Sequence, residues 1–83
     1  MALNGVGSGP LPRVDGRATL RALLRGGFEL SHVRGSHHYL RGPGGRLVPI
    51  PVHGSETLPP GTLRSVLRLA GISVKRFAQL LDE

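Results

Sequence analysis

Cysteine is absent from the 83 residues. That excludes disulfides and thiolate zinc sites, leaves the fold to packing alone, and fits a reducing compartment. Acidic residues are scarce as well: 5 Asp and Glu stand against 11 Lys and Arg, a formal net charge of +6, and every basic residue except Lys75 is arginine. A surface of this kind favours an anionic partner. Nucleic acid leads, with an anionic membrane face or an acidic protein drawn by the same field. No apolar run is long enough to span a bilayer, because arginines interrupt each one, and the amino terminus lacks a basic-then-apolar signal pattern. The expectation is a soluble, cytoplasmic protein without membrane contact. A chain of this length builds one domain with a modest core.

The punctuation of the chain predicts its elements. Residues 1–12 are rich in Gly and Pro without apolar periodicity and read as a flexible tail, leaving 13–83 as the domain. Asp15 is placed to cap a helix with apolar Leu20, Leu23 and Leu24 at helical spacing, ended by Gly26-Gly27. Arg17, Arg21 and Arg25 form a basic ridge on it. Like charges four residues apart cost about a few tenths of a kcal/mol per pair, a penalty that an anionic partner reverses. Phe28 to Val33 reads as a first strand with Phe28 and Leu30 inward, His37 to Arg41 as a second, and Leu47 to Val52 as a third, the last two separated by Gly42-Pro43-Gly44-Gly45. Pro49 and Pro51 remove two donors from one edge of the third strand and so put it at the rim of a three-stranded antiparallel meander. Pro59-Pro60 opens a helix with Leu63, Val66, Leu67 and Ala70 on its buried stripe. Gly71 stops it, and Ser73 caps a short last helix carrying Val74, Phe77 and Leu81. The fold class is α+β, with helices on one face of the sheet and the other face open. Leu20, Leu23, Leu24, Phe28, Leu30, Val48, Ile50, Val52, Leu63, Val66 and Leu67 are the expected core.

The stretch with obvious chemistry is Arg34-Gly35-Ser36-His37-His38-Tyr39-Leu40-Arg41. Imidazole exchanges protons near neutral pH, and guanidinium presents a rigid fork of donors to phosphate oxygens. A polyanion held or cut by histidine is therefore the leading interpretation, against a plain hairpin turn with half-exposed histidines. Strand alternation lets only one of His37 and His38 share the productive face. If Leu40 is buried, His37 lies on the open face. If Tyr39 turns inward, His37 has to act from the very start of the strand. His32, His37, His38 and His53 could also hold a metal, but without cysteine partners or the short spacings of zinc modules this reading is set aside.

Several linked segments resemble the HicA toxin family of bacterial toxin–antitoxin systems, also described as YcfA-like mRNA interferases. They are Gly16-Arg17, Gly27-Phe28, Gly35-Ser36-His37-His38, Gly45-Arg46, Ile50-Pro51-Val52-His53, Leu58-Pro59-Pro60-Gly61-Thr62-Leu63-Arg64-Ser65-Val66-Leu67 and Ala70-Gly71, spread over Pro12 to Leu81. Pro60 is one of the two usual residues at its position, so a basic contact found in some relatives is absent, and the order Tyr39-Leu40 after the histidines departs from the usual pattern. The resemblance implies an α-β-β-β-α fold like that of double-stranded RNA-binding domains, and a toxin that cleaves mRNA and inhibits translation without metal or cofactor. It names His37 as the catalytic general acid or base. Arg34, Gly35, Ser36, His38, Arg41, Arg46, Arg64 and Arg68 are the expected RNA-binding residues. The partner implied is an acidic antitoxin of the HicB type, with the free toxin monomeric and the complex oligomeric. The alternative from another class is a module that holds structured RNA by charge and shape without cutting it.

Overall fold

In the computed structural model, which describes residues 10–83, the Asp15 carboxylate caps α1 (Gly16–Arg25) by accepting from Ala18 N at 2.8 Å. Gly16 is required by a close approach, since a Cβ there would collide with the Pro51 carbonyl oxygen. The start of α1 thus rests directly on the end of the last strand. β1 (Glu29–Arg34), β2 (His37–Arg41) and β3 (Leu47–Pro51) form one antiparallel sheet in the order β1-β2-β3. Val52 N donates to Ser36 O at 2.7 Å and extends the β2–β3 ladder by one pair. Gly35 takes φ +56° at the β1–β2 turn, a left-handed conformation that favours glycine. α2 (Pro60–Ala70) ends at left-handed Gly71, with Ile72 N returning to Leu67 O, and α3 (Val74–Leu81) is capped by the Ser73 hydroxyl accepting from Arg76 N.

The element order read from the sequence is the order observed, and the proline-bearing strand does lie at the sheet rim. Leu23, Phe28, Leu40, Val48, Ile50 and Val66 make one core cluster between the sheet and the helices; Ala22, Leu58, Leu63, Leu67, Phe77 and Leu80 make a second among the helices. Arg25 ties α1 to α3 by donating from Nη1 to the Leu80 carbonyl at 2.9 Å.

Four expected core residues fall short of burial: Leu30 is 50% and Leu24 41% exposed, and Leu20 and Val52 are only half-buried at the margin of the core. The helical layer packs chiefly on β3, and all six residues of β1 are exposed. Inward parity on that outer strand therefore does not amount to burial. Conversely, Leu40, Phe77 and Leu80 are completely buried although they were outside the expected core. The tail expected over residues 1–12 falls mainly on residues 1–9, which lie outside the described ones. Leu11 is half-buried against the helical cluster.

Candidate active site

Leu40 is buried and pairs with buried Val48, which fixes the parity of β2. His38 pairs with Ile50 on the inner side, half-buried, and its Nδ1 is buried without a hydrogen-bond partner among the described residues. His37, Tyr39 and Arg41 take the open face. His37 is exposed and stands opposite Arg34 on one side and Pro51 on the other.

The turn before His37 is tied to the segment after β3. Ser36 Oγ and His53 Nε2 share a hydrogen bond of 3.3 Å, so a second imidazole is anchored to the residue that precedes His37. His37 also borders a groove of about 340 Å³ that runs between the β3 edge, at Pro49 and Pro51, and Thr62, Ser65 and Leu69 of α2. Pro49 and Pro51 offer no donors to a fourth strand along this edge.

The remaining basic residues expected at the site are spread over three regions. Arg34 is the cross-strand neighbour of His37. At about 3.3 Å of rise per residue, Arg41 stands roughly 13 Å further along β2, where its Nη1 donates to Gly45 O at 3.1 Å. Arg46 is at that same far end and reaches Leu69 O at 3.5 Å. Arg64 and Arg68 border a different groove, with Leu11, Ile72 and Val74, on the other side of α2 from Thr62, Ser65 and Leu69. Of the arginines expected to bind RNA, only Arg34 is adjacent to His37. Among the described residues no group of three or more His, Asp or Glu is gathered closely enough to hold a metal ion, and no helix is long and apolar enough to cross a membrane.

Residues outside the expected RNA-binding set border the same surfaces. Thr62, Ser65 and Leu69 follow at helical spacing and line the His37 groove. His32 reaches the open face because the β1 register shifts by one residue between Leu30 and His32, which sets His32 opposite Tyr39. The two rings stack at 4.5 Å between centroids and 5° between planes.

A family model described as the HicA toxin of bacterial toxin–antitoxin systems matches residues 16–72, from the start of α1 through α2 to Ile72. No curated protein matches the chain.

Proposed function

Starting from the premise that the chain belongs to the HicA toxins of bacterial toxin–antitoxin systems, we propose that it is an endoribonuclease acting on mRNA, with His37 as its catalytic general acid or base. The observation that supports this most is the position of His37: exposed on the open face, at the lip of a groove, with an arginine across the strand pair and a second histidine anchored to its neighbour.

The chemistry such a site can perform is transesterification within RNA. A base removes the ribose 2′-hydroxyl proton, the 2′-oxygen bonds to phosphorus, and the bond from phosphorus to the 5′-oxygen breaks. An acid protonates that departing oxygen, leaving a 2′,3′-cyclic phosphate and a 5′-hydroxyl. Arg34 is placed to neutralise the charge that grows on the phosphoryl oxygens. One imidazole cannot serve as base and acid in the same step. His53 is the better placed second carrier, because His38 shares the inner side of the sheet with Leu40 and Ile50. Each positioned proton carrier is typically worth about 10²–10⁴ in rate.

The test is incubation of purified protein with RNA in chelator, followed by analysis of the product ends. Cleavage leaving cyclic phosphates, lost by at least a hundredfold in His37→Ala and reduced less in His38→Ala, is the expected result. Full activity in the His37 variant overturns the assignment, and loss of cleavage on chelation overturns the metal-free mechanism. RNA binding with no cleavage by the parent protein would favour the alternative of a holding module, which the separate arginine pair on α2 would equally serve.

The family implies an antitoxin partner. We take it to be an acidic protein of the HicB type that covers the histidine turn and excludes RNA from it.

A further inference from the structure

The open face of the sheet carries an aromatic feature that the proposed cleavage chemistry does not use. Phe28 and Phe77 are buried in the core. The chain's single tyrosine, by contrast, sits on the face that none of the described helices covers, half-buried, with His32 lying parallel against it at 4.5 Å. His37 is the next ring along β2, 6.4 Å from Tyr39 between centroids.

This arrangement depends on the register shift in β1. Leu30 pairs with Leu40, so regular antiparallel pairing would carry on with Ser31 opposite Tyr39, His32 opposite His38 and Val33 opposite His37. With one extra residue accommodated, His32 faces Tyr39 and Arg34 faces His37 instead. The bulge sends Val33 to the inner side and brings a ring and a guanidinium to the open face, the kind of re-aiming that bulges perform beside functional sites. The Ser31 hydroxyl, within the bulge, hydrogen-bonds His32 Nδ1 at 2.9 Å and holds the imidazole in its stacked orientation.

We propose that the His32–Tyr39 pair is a stacking platform for one unpaired RNA base next to the bond cleaved at His37. The proposal rests on the ribonuclease reading given above. A third planar ring extends a parallel pair without rearranging it, and every nucleobase has a π-face to offer. A base stacked there keeps its adjoining phosphodiester within reach of His37 and Arg34. Bases inside a duplex have both faces covered by their neighbours, so the platform selects single-stranded or looped RNA over double helix. This sets the chain apart from a shape-reading duplex binder even though the sheet and helices are arranged in a similar way.

The chain provides its own probe, because Tyr39 is the only tyrosine and tryptophan is absent. Its fluorescence can be titrated with a short 2′-O-methyl RNA strand, which lacks the nucleophile and is not cut. The same backbone with abasic positions and a blunt duplex serve as comparisons. The single strand should quench Tyr39, and its binding, followed by anisotropy of a labelled strand, should weaken about 5- to 150-fold in Tyr39→Leu and in His32→Ala while persisting in Tyr39→Phe. The abasic strand should bind parent and variants alike, through charge alone. Parent-like affinity for the single strand in either variant overturns the platform, as does equal quenching by duplex. If RNA is still cut in a His37-dependent way, those results leave the ribonuclease reading standing. Failure of the parent to bind any of the RNA probes removes both.

Discussion

Replacing Leu40 by alanine removes an isopropyl group from the middle of the sheet, at a position with no exposure to solvent and with Val48 directly across the strand pair. Its neighbours in the cluster, among them Leu23, Phe28, Ile50 and Val66, come from both helices and strands and cannot all close in on the space. Substitutions of this type cost about 2–5 kcal/mol. At about 0.05–0.15 kcal/mol per residue a domain of this size has only about 4–12 kcal/mol in all. With about 4–8 °C of Tm per kcal/mol, the variant should melt on the order of 10–30 °C below the parent. Tyr39→Leu is the informative comparison, because Tyr39 is adjacent in sequence but on the opposite face. It keeps most of its apolar area and loses mainly the ring pair with His32, worth about 0.5–1.5 kcal/mol. Thermal melts followed by circular dichroism measure both. If Tyr39→Leu proved the more damaging, Leu40 would not be the inward residue. His37 would then face the helical layer, and the proposed site would fall with it.

Two further outcomes follow from the same arrangement. Val48→Asp should prevent folding, since an unpaired carboxylate at a fully buried position costs several kcal/mol out of this small total; a cooperative melt near that of the parent would show that β3 does not pack as described. If the antitoxin is acidic and approaches the arginine-rich surface, its association rate in stopped flow should fall about tenfold or more as salt is raised, and a salt-independent rate would speak against charge-steered occlusion.

Most of the fold was legible because it rests on local devices. Asp15 and Ser73 cap their helices, Gly71 is left-handed where a stop was expected, and Pro49 and Pro51 mark an edge strand. Each is a backbone requirement that particular residue types satisfy almost alone. Burial was less legible. Alternation tells which way Leu30 points but not whether anything lies over it, and the helices favour β3 over β1. The exposure of Leu24 was likewise beyond the reach of helical spacing, because spacing defines a stripe and not its width. Leu40 could be placed only conditionally from sequence, since it sits between Tyr39 and an arginine and either parity gave a plausible strand.

The same distinction runs through the site. His37 stood out as a candidate because Gly35-Ser36-His37-His38 is a compact motif with recognisable chemistry. The groove beside it did not, because nothing in Thr62, Ser65 or Leu69 states which strand edge α2 will overhang. The spread of the basic residues was hidden for a related reason: Arg41 is close to the histidines in sequence, but the length of β2 carries it to the other end of the sheet. Arg34 stays beside His37 because the tight turn makes the two a cross-strand pair. The bulge is the least visible feature of all. Counting alternation from Leu30 sends His32 inward and Val33 outward, and only pairing with β2 shows the extra residue between them. Ser31 gives no composition signal for that irregularity. Its hydroxyl nevertheless orients the imidazole that the bulge delivers, so the register shift sets the position, and a serine hydroxyl the angle, of a ring that strand alternation alone would have placed on the other face.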